Sequence, residues 1–131
     1  MSSILVVDDD PVTRRLVRGL LEPSGHAVAE ATDASAAILA AGRQRFDIAL
    51  LDVWLPDMGG LELLESLMRI QPELKVMIMT ADEAPQTLLK AIGGRAHRYL
   101  RKPVEPESLA ALVRQMLDSA ASPPRIEVRS A

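Results

Sequence analysis

The sequence predicts a doubly wound α/β domain, a five-stranded parallel sheet with five helices covering its two faces. Three observations predict it. Short branched apolar runs alternate five times with amphipathic segments. Most of those runs are compact and near-continuous, as strands buried on both faces are. Proline or a small polar residue opens several of the helical segments. Each connection between parallel strands is then expected to be a right-handed crossover.

The strands are 3–8 (SILVVD), 27–31 (AVAEA), 47–52 (DIALLD), 75–80 (KVMIMT) and 98–102 (RYLRK). Between the first two, Val12, Leu16, Val17, Leu20 and Leu21 recur at helical spacing, Pro11 suits the first turn, and Arg14, Arg15 and Arg18 occupy other faces. A second helix is expected from about Asp33 to Ala41, with Thr32 or Asp33 as N-cap and Gly42 as its stop. The third, Leu61 to Ile70, places Leu61, Leu64, Leu67 and Met68 on one side. The fourth is the weakest pattern, starting near Pro85 and ending at Gly93-Gly94 with Leu88, Leu89 and Ile92 as its stripe. The fifth starts at Pro106 and carries Leu109, Leu112, Val113, Met116 and Leu117. Met68, Met77 and Met79 read as core filler.

A chain of 131 residues is one domain's worth, large enough to bury a core without staples. Its formal net charge of -3 offers no basic field for a nucleic acid backbone, so His97 and the arginines of 95–102 read as a solvated or partner-facing surface. The absence of cysteine excludes disulfide scaffolds, thiol catalysis and cysteine-ligated metals. No apolar stretch approaches the roughly 18 residues of a membrane span, and the N-terminus lacks a signal-peptide pattern, so a soluble, cytoplasmic protein is expected. The helical pattern stops near Ala120. The segment 121–131 (ASPPRIEVRSA) reads as a tail or as the start of a linker to an output module, with Ile126 and Val128 alternating with charges.

The chemistry lies in the acids. In an open α/β sheet, ligands bind beyond the carboxyl ends of the strands, where strand order reverses. Asp8 and Asp9 close the first strand, Asp52 the third, Thr80 the fourth and Lys102 the fifth, all at one edge. With strand order 2-1-3-4-5, the first and third strands are neighbours, so Asp8, Asp9 and Asp52 share a crevice. Asp10, ahead of Pro11, reads as a helix N-cap beside them. Two like charges about 4 Å apart repel by roughly 4 kcal/mol at an effective dielectric of about 20, so three clustered carboxylates call for a compensating cation. Oxygen ligands alone select a hard ion, Mg²⁺ or Mn²⁺. With the Lys102 ammonium and the Thr80 hydroxyl, the edge becomes a receptacle for a phosphoryl group.

Taken together, "LVVDDD", "LLDVWLPDMGG", "MIMTA" and "YLRKP" make the chain resemble the receiver domain of two-component response regulators, from about Ile4 to Ala120. The resemblance implies a flavodoxin-like fold. It implies that Asp52 accepts a phosphoryl group from a phosphohistidine of a sensor histidine kinase or phosphotransfer protein. Asp9, Asp52 and the Trp54 main-chain carbonyl would ligate Mg²⁺, for which Mn²⁺ can substitute, and Asp8 would help through the metal or its water. Lys102 would pair with the phosphoryl oxygens and Thr80 would bond one of them. Tyr99 falls on the switch aromatic, and Lys102-Pro103 would be a cis peptide. Trp54, Ala81 and Asp82 would control access to the phosphoryl site. The output face would be the fourth helix, fifth strand and fifth helix, through which a homodimer can form, signalling to a downstream protein or linked output domain. No direct nucleic acid or membrane contact is implied. One departure stands out: where the family commonly has Gly-Ala before the switch aromatic, this chain has Arg95 and Ala96, with the glycines displaced to 93 and 94.

Two other readings compete. An aspartate-nucleophile phosphatase of the haloacid dehalogenase type needs a second aspartate two residues after its nucleophile, and this chain has Trp54 there. A degenerate receiver that binds partners without phosphorylation is disfavoured because every key position is filled.

Overall fold

The structure, a computed structural model, describes residues 2–80 and 96–118. Five strands, β1 (Ser3–Val7), β2 (Ala27–Ala31), β3 (Ile48–Asp52), β4 (Lys75–Thr80) and β5 (Arg98–Arg101), form one sheet in the order β2-β1-β3-β4-β5. Every neighbouring pair is parallel. Four α-helices are described, α1 (Pro11–Leu21), α2 (Ala34–Arg43), α3 (Gly60–Ile70) and α4 (Pro106–Asp118), with a short 3-10 turn at Glu22–Ser24. The expected helix between Pro85 and Gly94, with Leu88, Leu89 and Ile92, lies outside the described residues, as do Arg95 and the 121–131 segment.

Strand alternation divides the core in two. Leu5, Val7, Ala49, Leu51, Val76 and Ile78 point to one face, where α2 and α3 supply Ala34, Ala37, Ala41, Leu63, Leu64 and Leu67. The alternate residues Ile4, Val6, Ile48, Leu50, Met77 and Met79 point to the other, against Val17 and Leu21 of α1 and Leu109, Val113 and Met116 of α4. Burial of this many fully enclosed side chains, each contributing roughly 1.5–3 kcal/mol against exposure, fixes the register of the sheet and hence the positions of its ends.

Local chemistry sets the helix boundaries. Asp10 is the N-cap of α1, its carboxylate accepting the Val12 N–H at 3.0 Å and the Thr13 hydroxyl at 3.0 Å. Asp33 caps α2 through the Ala36 N–H at 2.8 Å. Gly42 does not stop that helix, which runs two residues past Ala41 to Arg43. Its end is held by Gln71, whose amide nitrogen donates to the Ala41 carbonyl at 2.9 Å and the Gln44 carbonyl at 2.7 Å. A glycine ends a helix only where a positive φ is needed, and the described glycine with positive φ is Gly25, at 96°.

Two apolar stripes also need correction. On α1, Val17 and Leu21 are buried, but Val12 is 66% and Leu16 37% exposed, because the neighbouring helix covers only part of the stripe. On α3 the buried leucines are Leu63, Leu64 and Leu67, with Leu61 and Met68 partly covered and Ile70 exposed.

Candidate functional site

Because all five strands run the same way, their carboxyl ends meet at one edge. The buried run Ile4–Val7 ends against Asp8, which is 0% exposed, and β3 ends in Asp52, which is 6% exposed. β1 and β3 are adjacent, pairing Val7 with Leu51, so the two carboxylates face each other. Asp9, exposed, completes the cluster: oxygens of Asp8, Asp9 and Asp52 all lie within 4.8 Å of one another. From the turn after β5, Lys102 reaches across, its Nζ 2.7 Å from Asp8 Oδ2 and 3.3 Å from Asp52 Oδ2. The expected cis peptide is present at Lys102-Pro103.

The remaining oxygens are held by main chain. Asp8 Oδ1 accepts the Asp10 N–H at 2.9 Å, and Asp52 Oδ1 accepts the Trp54 N–H at 3.2 Å. Beyond the Lys102 ammonium, the buried Asp8 Oδ2 receives no hydrogen bond. One ammonium thus faces three carboxylates. Burial pushes the Asp52 pKa up, the Asp8 charge adds to the rise, and the Trp54 N–H and Lys102 oppose it. Burial works against the Lys102 charge as well, yet its pairing with Asp8 and Asp52 wins and holds its pKa above the ordinary lysine value.

A hard divalent cation fits this donor set. The cluster offers oxygens only, carries surplus negative charge, and includes a buried oxygen with spare lone pairs. Asp8, Asp9 and Asp52 would supply the side-chain ligands. The segment after Asp52 is fixed close by: Trp54 forms an antiparallel bridge to Gly59, and Gly60 lets the chain pass itself. A Cβ at Gly60 would lie 3.0 Å from Val53 Cα and 3.2 Å from its carbonyl oxygen. Trp54 is 51% exposed at the mouth of the crevice.

The other expected residues fall as follows. Thr80 is the last residue of β4, in register with Arg101. Tyr99 lies on β5, half-buried against the α2–α3 side of the core, where burial raises its pKa. Ala81 and Asp82 lie outside the described residues. His97 is not part of a solvated surface: it is 9% exposed at the opposite edge of the sheet. Its Nδ1 accepts the Val76 N–H at 3.1 Å, which draws the ring inward.

Arg14 was not singled out by sequence, where it reads as one of three exposed arginines. Its guanidinium donates to the Asp8 carbonyl at 2.7 Å and pairs with Glu30 of β2 at 2.9 Å, so it fixes the turn that bears the acidic pair. The signal was its position four residues past Asp10, one helical turn above the cap.

Comparison with known proteins identifies the family and the fold. The model of the response regulator receiver domain matches residues 4–114. The chain is 38% identical over 115 residues to the probable transcriptional regulatory protein TcrX of Mycobacterium tuberculosis, covering 88% of this chain and 49% of TcrX. It is 38% identical over 113 residues to the nitrate/nitrite response regulator NarP of Escherichia coli, covering 85% of this chain and 53% of NarP. The chain therefore spans about half the length of these relatives. Among solved structures, a CheY-like receiver domain protein from Methanospirillum hungatei superposes with a TM-score of 0.86 at 31% identity, covering 92% of this chain and 96% of that one.

Proposed function

The chain belongs to the response regulator receiver domain family, and from that premise we propose that it is a phosphorylation switch whose acceptor is Asp52. The observation that carries this reading is the Lys102 ammonium bridging Asp8 at 2.7 Å and Asp52 at 3.3 Å beside the exposed Asp9. Receiver domains are signalling switches and not turnover enzymes. In this reading the phosphodonor is a phosphohistidine of a sensor histidine kinase or phosphotransfer protein. The Asp52 carboxylate attacks phosphorus in line, the phosphorus–nitrogen bond breaks, and the imidazole leaves with its electron pair and takes up a proton.

Each residue has a task in that transfer. Asp52 must be ionised to attack; the Trp54 N–H and Lys102 favour that form, while burial and the Asp8 charge work against it and keep the pKa raised. Lys102 then exchanges its carboxylate contact for a phosphoryl oxygen, which keeps the neutralising charge in place with little reorganisation. Asp8, Asp9, Asp52 and the Trp54 main-chain carbonyl would hold Mg²⁺ or Mn²⁺, which when bound neutralises phosphoryl oxygens. Thr80 and Tyr99 relay the phosphorylated state to the output face expected from the fourth predicted helix, β5 and α4, the surface for a homodimer, a downstream protein or a linked output domain. Residues 1–120 act as the receiver and 121–131 as a tail or linker, in the cytoplasm.

Incubation with acetyl phosphate and Mg²⁺ tests the proposal. A stoichiometric, acid-stable and base-labile label is expected, lost in Asp52→Asn. No label on the wild-type chain with Mg²⁺ present would leave the alternative of a phosphorylation-independent binding module.

A further inference from the structure

The segment that follows Asp52 carries an acid the phosphoryl chemistry does not use. Asp57 projects from the β3–α3 connection onto the first turn of α2. One carboxylate oxygen accepts the Ala34 N–H at 2.9 Å, and the other accepts both the Ser35 N–H at 3.0 Å and the Ser35 hydroxyl at 2.9 Å. The Ala34 N–H bond comes first among the influences that hold the Asp57 carboxyl below the usual range. A carboxylate at a helix N-terminus is favoured by the free N–H groups and by the helix dipole. Asp33 takes the Ala36 N–H of the same turn at 2.8 Å, so two acids divide the donors of α2, one local and one from 23 residues away.

The connection 53–59 is consequently tied at both ends and in the middle. Trp54 donates to Asp52 and bridges to Gly59, while Gly60 packs against the Val53 main chain. Between them Leu55 and Met58 pack against the core, and the Asp57 carboxylate is hydrogen-bonded to α2, itself anchored to the sheet by the buried Ala34 and Ala37. We propose that Asp57 is a positioning residue, a latch to α2 that holds the Trp54 main chain at the cation site before any cation arrives. This deepens the phosphorylation-switch reading and rests on it for the identity of the cation. Without the latch, part of the ordering of the connection falls to the cation, and that part is subtracted from binding affinity. Outer partners that orient metal ligands typically contribute about 10- to 100-fold to affinity, and an exposed latch belongs at the low end.

Trp54 is the chain's one tryptophan, so its fluorescence reports on this connection alone. Titrate Mg²⁺ into the wild-type chain, Asp57→Ala and Asp57→Asn, with Asp47→Asn as control. Asp47 accepts the Ser3 N–H at 2.8 Å at the far edge of the sheet and resembles Asp57 in being an exposed carboxylate bound by main chain. The expected result is a roughly tenfold rise in the half-saturating Mg²⁺ concentration for both Asp57 variants, with none for Asp47→Asn. The acetyl phosphate labelling rate at saturating Mg²⁺ should stay within about twofold of wild type, because the latch sets affinity and leaves the reacting groups in place. A Mg²⁺-free readout accompanies this: hydrogen exchange at the Ala34 and Ser35 amides and acrylamide quenching of Trp54 should both rise in the variants. Unchanged Mg²⁺ response, exchange and quenching in both Asp57 variants would overturn the latch. A wild-type chain that ignores Mg²⁺ would instead overturn the switch reading, and the Mg²⁺-free exchange and quenching would still decide whether Asp57 orders the connection.

Discussion

The two edges of the sheet handle polar groups in opposite ways. At the amino edge, His97 donates its N–H to the Val76 carbonyl at 2.8 Å and accepts the Val76 N–H on Nδ1 at 3.1 Å, so side chain and main chain close one ring of bonds. Lys75 donates to the Met116 carbonyl at the end of α4. Asp47 takes the Ser3 N–H, and Gln71 donates to two carbonyls and accepts the Phe46 N–H at 2.9 Å. Each group there completes the fold. At the carboxyl edge, three carboxylates meet one ammonium, and a buried oxygen of Asp8 has only that ammonium. That surplus of negative charge is compatible with a metal ion.

Lys102→Ala breaks the comparison most severely. It leaves two buried carboxylates facing each other without a counter-charge. Removing one partner of a buried pair costs about 3–5 kcal/mol, and since the Lys102 side chain is 21% exposed, a loss of about 2 kcal/mol is expected. Chemical denaturation with and without Mg²⁺ checks it: the deficit should shrink when Mg²⁺ is added. A deficit of equal size in both conditions would mean that the carboxyl edge is as self-contained as the amino edge.

His97→Ala should cost about 1–3 kcal/mol through the unpaired Val76 N–H, with no dependence on Mg²⁺ and no effect on labelling. The same residue gives a pH signature. Burial lowers the His97 pKa, with the nearby Lys75 and Arg98 charges pushing in the same direction. The unfolded chain then takes up a proton near the ordinary value of 6.5 while the folded chain resists it. His97's share of stability is therefore fully present above pH 6.5 and declines as pH falls below it, down to the folded-state pKa. Denaturation midpoints measured from pH 7.5 to 5.5 should show this decline in wild type and a flatter profile in the variant.

Trp54→Ala gives the smallest structural effect. The ring is 51% exposed, so stability should change by less than about 0.5 kcal/mol. If the ring screens the phosphoryl group from water, the aspartyl phosphate should decay several-fold faster. An unchanged decay rate measured by loss of label would remove that role from Trp54.

Much of the fold was legible because the hydrophobic runs end abruptly. The apolar run of β1 stops before Asp8 and that of β3 before its last residue, Asp52, so the strand ends and the site were written by the same residues. Asp10 and Asp33 were legible as caps for the same local reason. What escaped depends on contacts distant in sequence. His97 is drawn in by a β4 amide, Gln71 carries α2 past Gly42, and Asp57 finds its donors on a helix that precedes it. The exposure of Val12 and Leu16 escaped too, since periodicity reveals an apolar stripe but not how much of it a neighbour covers.

The most direct test of the central claim is the address of the phosphoryl group. After acetyl phosphate and Mg²⁺ treatment, borohydride reduction converts an aspartyl phosphate to homoserine, and peptide mass spectrometry locates it. The account predicts conversion at position 52, and at no other carboxylate. Conversion at Asp8, Asp9 or Asp57, with position 52 untouched, would contradict it.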